Sequence, residues 1–295
     1  MATRRSKSGS ISRAPPLAKL AYFASRLPLT AISILGYMGT GKTNLARYIC
    51  ILLKRLGFEC FYAVVDSPDK VEEALYWCAS KRRGDRVFIV FDDASGMLSG
   101  KTKRTKKAEN ALVRARHIVG TEDTGRLTIA VIFHHVGLVN PIFRMTPIYA
   151  LTSISSMWEI RLLSREGYFE RDKLEEFLIV HTAWMYREKW LLKAAKKLGV
   201  DVDRSKPILF RVWDTVEIQW IPHVAEDPWD HRLGEPPKTD GREGREPPIS
   251  WNEFRQLARK IGVRAADTKL HALYRTIFYE KLGYTPKPFK HEPED

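Results

Sequence analysis

Residues 36–43 read Gly36-Tyr37-Met38-Gly39-Thr40-Gly41-Lys42-Thr43. This stretch matches G-x-x-x-x-G-K-[ST], a loop whose glycines let the backbone wrap a phosphate so that successive N–H groups face it. The β-prone run 29–35 precedes the loop, and the helix-prone run 43–56 follows it. The N-terminus of that helix adds attraction for an anion. The stretch therefore predicts a strand, a phosphate-binding loop and a helix that together bind a nucleoside triphosphate.

The loop residues have separate expected tasks. Lys42 is expected to reach the β- and γ-phosphates, and Thr43 is expected to give its hydroxyl to Mg²⁺. We expect ATP to be bound by Gly36, Gly39, Thr40, Gly41, Lys42 and Thr43.

A second motif is the apolar run 87–91, which ends in Asp92 and Asp93. This is a Walker B pattern, and Asp92 is expected to hold Mg²⁺ or one of its waters, because Mg²⁺ needs only one or two carboxylates from a protein. Many NTPases carry Glu as the next residue, where it polarises the attacking water. We predict that Asp93, one methylene shorter, acts as the general base.

Strand-like and helix-like runs alternate through the first half of the chain. The strand-like runs are continuously apolar, as expected of parallel strands covered on both faces. The pattern predicts an α/β P-loop NTPase fold, a mainly parallel sheet flanked by helices. If the fold is of the inserted-strand class, residues 128–134 lie between the strand before the loop and the strand of Walker B. The predicted strands are 29–35, 60–66, 86–92, 128–134 and 148–154.

The second half of the chain has a different pattern. Residues 168–198 are strongly helical, with His181 as a packed residue on the apolar stripe, and 208–213 and 216–221 read as a hairpin. A capping box, Ser250 to Glu253, starts the helical C-terminal appendage. The predicted organisation is a basic arm and short helix (1–27), a P-loop ATPase domain (28–223), a linker (224–249) and the small appendage (250–295).

Further residues are candidates for γ-phosphate sensing and for action between subunits. His135 follows the strand 128–134, at the place where such enzymes carry a polar sensor, and we predict that it is the sensor. An arginine finger stabilises charge in phosphoryl transfer. Its candidates are Arg114, Arg116 and Arg144.

Composition indicates a polyanionic partner. The net charge is +14 with a pI near 9.7, while 44% hydrophobic and 28% charged residues are ordinary for a globular protein. Nucleic acid is the leading candidate for the polyanionic partner. A basic cluster follows the Walker B motif and contains the predicted DNA-binding residues, Lys101, Lys103, Arg104, Lys106 and Lys107.

No apolar run reaches the roughly 20 residues of a membrane span, and three cysteines without a C-x-x-C pair suit a reducing compartment.

The chain resembles the FtsK–HerA superfamily of DNA-pumping ATPases, and within it the viral genome-packaging ATPases of poxvirus and internal-membrane virus type. The resemblance covers roughly 29–154 and rests on the phosphate loop, Asp92-Asp93, Arg116-His117 and the strand end 132–135. It implies a ring of copies, often a hexamer, that hydrolyses ATP at subunit interfaces and moves double-stranded DNA through a central pore. The basic stretch 99–107 falls where a pore loop is expected. His135, where the family often has Gln, departs from its pattern.

Two other functions remain open. One is an AAA+ replication initiator or helicase loader, since the C-terminal helices could form a helix-turn-helix. The other is a non-motor module that binds ATP as a switch on a capsid or membrane assembly partner. The expected location is the cytoplasm, of a host cell if the protein is viral, or the virion.

Overall fold

A computed structural model describes residues 14–65, 67–92, 103–121, 124–134 and 148–234, with isolated positions between 252 and 271. The chain divides into two compact units, 1–234 and 235–295. In the second unit, the described positions 252–271 are helical, and Arg255 and Arg259 donate to the Asp267 carboxylate at 3.2 and 2.9 Å. The helical appendage stays a prediction beyond those positions.

The first unit is built on one sheet, in which the described residues form eight strands. The strands are β1 Leu29–Leu35, β2 Glu59–Val64, β3 Arg86–Asp92, β4 Arg126–Phe133, β5 Ile148–Leu151, β6 Ser205–Val212, β7 Thr215–Pro222 and β8 His231–Leu233. Their order in the sheet is β7-β6-β5-β1-β4-β3-β2-β8, and pairing is parallel except that β6 runs antiparallel to β5 and β7.

The position of β4 confirms the predicted P-loop fold of the inserted-strand class. It lies between β1 and β3, with Leu35 opposite Phe133 and Phe91 opposite Val131. The carboxyl ends of β1, β3 and β4 therefore meet at one edge of the sheet, where α/β folds of this kind bind ligands. The predicted hairpin is also present, as β6 and β7.

Helices cover both faces of the sheet. The described helices are α1 Pro16–Arg26, α2 Lys42–Lys54, α3 Pro68–Lys81, α4 Lys103–Val113, α5 Ala115–Val119, α6 Met157–Arg165, α7 Arg171–Met185 and α8 Lys189–Lys197. On one face, α1 and α2 pack through apolar residues at helical spacing, such as Leu45, Ile49 and Leu53 of α2. On the other face, α3 to α7 contribute to a second core, with Leu75 and Phe177 among its buried residues.

The helices of the second half differ from the sequence prediction in two places. The predicted helix 168–198 is broken into α7 and α8, and Arg187 takes a left-handed φ of 54° between them. The sequence analysis missed α6. Ser156 caps this helix by accepting a hydrogen bond from the Glu159 amide at 3.3 Å, so the pair forms the S-x-x-E signature of a helix start.

The start of the predicted linker 224–249 belongs to the sheet. β8 pairs with β2, and Asp230 just before it accepts hydrogen bonds from the Cys60 amide at 2.7 Å and from Lys54 at 2.6 Å. These partners lie about 170 positions earlier in the chain, so local composition did not reveal the strand. Among the described helices, none is long and apolar enough to cross a membrane.

Candidate functional site

The loop between β1 and α2 depends on glycine at two positions. Gly36 has φ 149°, and a Cβ atom there would lie 2.1 Å from the Thr152 hydroxyl oxygen. Gly41 has φ 82° and precedes the first residue of α2. Larger side chains are excluded by contact at the first position and disfavoured by backbone conformation at the second. The loop thus enters the helix in the tight turn that a phosphate cradle requires.

Lys42 and Thr43 open α2 and carry the polar groups of the loop. Lys42 is buried, with 4% of its surface exposed, and its ammonium donates a hydrogen bond to the Tyr37 carbonyl of the same loop. The Thr43 hydroxyl donates to Oδ2 of Asp92 at 3.0 Å. The structure therefore brings together the lysine, the hydroxyl and the carboxylate that the sequence singled out.

Asp92 is held at the end of β3 by a second hydroxyl. The Tyr62 hydroxyl of β2 donates to the same Oδ2 atom at 2.6 Å, and Asp92 is 8% exposed. Burial and the neighbouring carboxylate raise the pKa of Tyr62 above its ordinary value, so the phenol stays a hydrogen-bond donor. Sequence analysis missed Tyr62, because its partner lies 30 positions along the chain.

These groups fit Mg²⁺. The buried carboxylate of Asp92 and the Thr43 hydroxyl supply oxygen ligands at one point, and Mg²⁺ keeps its remaining positions for water and phosphate oxygens. Within the described ranges, no group of three or more His, Cys, Asp or Glu side chains could hold a metal. A site of one carboxylate and one hydroxyl thus suits an ion that arrives with its nucleotide.

The segment after β5 braces the loop. The hydroxyl oxygens of Thr152 and Thr40 are 2.8 Å apart, and Thr152 also donates to the Leu35 carbonyl at 3.1 Å. The Tyr37 amide donates to the Ser153 hydroxyl oxygen at 3.1 Å. Because β5 is the neighbour of β1 in the sheet, its end lies beside the loop. No sequence pattern marked these residues.

A second lysine reaches the loop from β6. The Lys206 ammonium donates to the Thr40 carbonyl at 2.5 Å and lies 5.3 Å from the centre of the Trp184 ring. Burial, together with the positive charge of Lys42, lowers the pKa of Lys206 to about 7. Sequence analysis missed this residue, which lies 166 positions from Thr40.

Several of the predicted site residues lie in parts of the chain that the structure does not describe. Asp93, His135, Arg144 and Lys101 lie outside the described residues, and so do the side chains of Lys103 and Arg104 in α4. Their assigned roles stay predictions.

The described part of the basic stretch is engaged with acidic side chains. Lys106 and Lys107 are exposed on α4. Lys107 forms ion pairs with Asp69 at 2.9 Å and Glu72 at 3.5 Å. DNA phosphates would have to compete with these two carboxylates for Lys107, so Lys106 is the more accessible charge of the two.

Arg116 lies at the sheet edge opposite the phosphate loop. Its guanidinium donates to the Thr121 carbonyl at 2.9 Å, and the adjacent Gly120 carbonyl accepts from Arg82, which precedes β3. Arg114 is the residue before α5. For both arginines, the finger role in a neighbouring copy stays a prediction.

A family model described as Novel STAND NTPase 3 matches residues 30–133. The matched range runs from β1 to the end of β4 and contains the phosphate loop and Asp92. No curated protein matches the chain.

Solved structures that match the chain include proteins with a bound nucleotide. The genome packaging NTPase B204 from Sulfolobus turreted icosahedral virus 2, in complex with ATP-gammaS, is 16% identical, with 67% of this chain and 100% of that chain covered and a TM-score of 0.42. The pCW3 conjugation coupling protein TcpA with ATPgS is 13% identical, with 67% and 61% covered and a TM-score of 0.35. The Aeropyrum pernix ORC2 protein in its ADP form is 14% identical, with 65% of each chain covered and a TM-score of 0.37. Likenesses of this size assign neither an activity nor a partner.

Proposed function

We propose that this protein is a Mg²⁺-dependent ATPase that moves double-stranded DNA. The observation that carries the ATPase is the 3.0 Å hydrogen bond between the Thr43 hydroxyl and Asp92, beside the buried ammonium of Lys42. A hydroxyl, a carboxylate and a lysine converge at a glycine-rich helix N-terminus, which is the polar set that binds a magnesium-bound triphosphate.

The described residues have distinct tasks in this proposal. The loop amides and Lys42 bind the β- and γ-phosphates, and the Thr43 hydroxyl and Asp92 would hold Mg²⁺, with Tyr62 fixing the carboxylate. Bound Mg²⁺ would neutralise charge on the phosphate oxygens. Thr152 and Ser153 keep the loop in its phosphate-binding shape, since they bond to its backbone and to Thr40.

The catalytic step is assigned to residues that follow the two central strands. Asp93, directly after Asp92, accepts the proton of the attacking water, and His135, two positions beyond the end of β4, senses the γ-phosphate. Both positions are supported by strand order, because the carboxyl ends of β3 and β4 lie beside that of β1. Arg144, Arg114 or Arg116 of a neighbouring copy supplies the finger.

The proposed DNA partner is supported by charge and by the sequence resemblance. A net charge of +14 suits a polyanion, and contacts from lysine and arginine to phosphates are independent of sequence, which suits a motor that moves along a duplex. We assign Lys101, Lys103, Arg104, Lys106 and Lys107 to that contact. The active form in this proposal is a ring of identical subunits.

The test is ATPase activity measured with and without duplexes of increasing length, alongside particle mass in solution. The proposal expects stimulation that grows with duplex length and a particle of several subunits. The combined substitutions Lys103→Glu, Arg104→Glu, Lys106→Glu and Lys107→Glu should remove the stimulation by DNA and leave basal ATP hydrolysis unchanged. Binding to one sequence without length dependence would favour an initiator instead, and ATP binding with little turnover and no DNA effect would favour a non-motor switch.

A further inference from the structure

Lys206 stands out because, among the described residues, no anionic side chain pairs with its ammonium. It lies in β6, half-buried, and its ammonium bonds the Thr40 carbonyl of the phosphate loop at 2.5 Å. In the part of the chain that the structure describes, no carboxylate pairs with it, and the charge that acts on it most strongly is the like charge of Lys42. Lys206 therefore brings a partly desolvated positive charge to the phosphate loop, an arrangement that a bound anion would stabilise.

The protein holds the Lys206 side chain in a fixed place. The ammonium lies 5.3 Å from the centre of the Trp184 ring, and the side-chain Cδ lies 3.9 Å from the point where a Cβ on Gly41 would be. Trp184 is itself anchored, because its indole N–H donates to the Ser205 carbonyl at 3.0 Å and to the Val202 carbonyl at 3.2 Å. The ring and the strand thus direct this lysine at the loop residues Thr40 and Gly41.

Lys42 offers a parallel within the same loop. Its ammonium bonds the Tyr37 carbonyl, just as that of Lys206 bonds the Thr40 carbonyl. A carbonyl is a weaker partner for an ammonium than a phosphate oxygen, because hydrogen bonds between two charged groups are the stronger ones. A polyphosphate ligand would therefore draw both lysines from the loop carbonyls.

We infer that Lys206 is a second phosphate-binding lysine, which contacts the terminal phosphates of the nucleotide from the β6 side. The inference rests on the proposed nucleotide site and adds to it a residue from a strand beyond the parallel core. The ligand class is a nucleoside di- or triphosphate. A nucleoside monophosphate lacks the terminal phosphates that Lys206 would contact.

The acid–base behaviour of this lysine gives the inference a distinctive readout. In the ligand-free protein, burial and Lys42 lower the pKa of Lys206 to about 7, so above that pH phosphate binding must take up a proton. Affinity for Mg-ATP should fall as pH rises from 6 to 9, by up to about tenfold per unit. His181 of α7 also faces Lys206, but burial and the Lys206 charge lower its pKa to about 4, which leaves it neutral over this range. Among the described residues, Lys42 from α2 is the charged group that, besides burial, lowers the pKa of Lys206, and it is unchanged in the variants below.

The experiment is calorimetric titration of the full chain with Mg-ATP, Mg-ADP and AMP. Lys206→Met should weaken Mg-ATP and Mg-ADP binding roughly tenfold to a hundredfold and leave AMP binding unchanged, as expected for loss of one charged hydrogen bond. Lys206→Arg should bind Mg-ATP with the affinity of the wild type at low pH. Its affinity should not decrease between pH 6 and 9, because the guanidinium stays charged. Lys196→Met, on the exposed face of α8, removes the same charge and should change neither.

The outcomes separate this inference from the proposed function. If the wild-type chain does not bind Mg-ATP, the nucleotide site itself is wrong. If the wild type binds Mg-ATP and Lys206→Met binds it equally well, Lys206 does not contact the phosphates. If Lys206→Met loses affinity for AMP and Mg-ATP alike, Lys206 only stabilises the loop. If Lys206→Met does not fold, the pH profiles decide, and equal slopes for the wild type and Lys206→Arg overturn the inference.

Discussion

The Thr43 hydroxyl donates a hydrogen bond to Oδ2 of Asp92 across 3.0 Å, joining the first turn of α2 to the end of β3. The two residues are 49 positions apart, and the placement of β4 between β1 and β3 sets how their elements meet. In the nucleotide-bound protein, both oxygens are expected to turn to Mg²⁺. The contact therefore marks where the ion is expected.

Asp92 and the next residue in the sequence, Asp93, should have different effects when their carboxylates are neutralised. Asp92→Asn should lower Mg²⁺-dependent ATP turnover on the order of a hundredfold and also weaken the effect of Mg²⁺ on binding. Asp93→Asn should abolish turnover and leave nucleotide affinity intact. Steady-state ATPase assays and Mg²⁺ titrations of nucleotide binding measure the two effects. Asp172→Asn, at an exposed position of α7, is the control and should change neither. Equal loss of binding and turnover in Asp93→Asn would count against its role as the base.

Tyr62 is expected to act through Asp92. Tyr62→Phe removes the 2.6 Å hydrogen bond to the carboxylate and keeps the ring, so the half-saturating Mg²⁺ concentration for ATP hydrolysis should rise about tenfold. The Michaelis constant at saturating Mg²⁺ should change little. Tyr76→Phe, at an exposed tyrosine of α3, should have no effect on either quantity. An unchanged Mg²⁺ requirement in Tyr62→Phe would show that Asp92 needs no such support.

The close approach at Gly36 predicts a specific loss of binding. A methyl group there meets the Thr152 hydroxyl at 2.1 Å, so Gly36→Ala should displace the loop and weaken Mg-ATP binding by about tenfold or more. Gly57→Ala is a matched control, because Gly57 also has a positive φ of 80° but nothing lies within 4 Å of its added methyl. It should cost about 1 kcal/mol of stability and leave ATP affinity unchanged. Calorimetric binding together with urea unfolding measures both effects, and equal ATP affinity in the two variants would contradict the proposed loop geometry.

His181 predicts an acid-sensitive core. Burial between Phe177 and Trp184, and the Lys206 charge, lower its pKa from 6.5 to about 4, and 4% of its surface is exposed. The unfolded chain takes up this proton more readily, so the stability from a neutral His181 is full above pH 6.5 and is lost as the pH falls towards 4. That loss reaches about 3 kcal/mol.

The pH dependence is measured by urea unfolding at several pH values. In His181→Leu, stability should fall less between pH 6.5 and 4 than in the wild type, whereas His223→Gln at an exposed site should follow the wild type. Identical acid profiles in His181→Leu and the wild type would show that the histidine is not buried neutral.

The parts of the fold that the sequence predicted are those with local signatures. The phosphate loop, the apolar strand ending in Asp92 and the continuous apolar runs of parallel strands can all be recognised within windows of a few residues. The insertion of β4 followed from the P-loop class, and the hairpin β6–β7 followed from two short runs around a turn. His181 was correctly predicted as a packed residue from its place on an apolar stripe.

The missed features depend on contacts between distant segments. β8 is held by Asp230 and His231, whose partners Cys60 and Glu59 lie far earlier in the chain. Lys206 and Thr152 reach the phosphate loop only because β5 and β6 extend the sheet beside β1, and neither belongs to a short motif. By contrast, Ser156 and Glu159 form a recognisable helix-start signature, so the sequence did contain a signal for α6.

The most direct test of the central claim, a triphosphate site built on Lys42 and Asp92, is calorimetric titration of the wild type and of Lys42→Ala with Mg-ATP. We expect Mg²⁺-dependent binding of ATP by the wild type and a loss of affinity of roughly a hundredfold or more in Lys42→Ala, with the variant still folded. If the wild type does not bind ATP, or if folded Lys42→Ala binds it equally well, the chain has no such site.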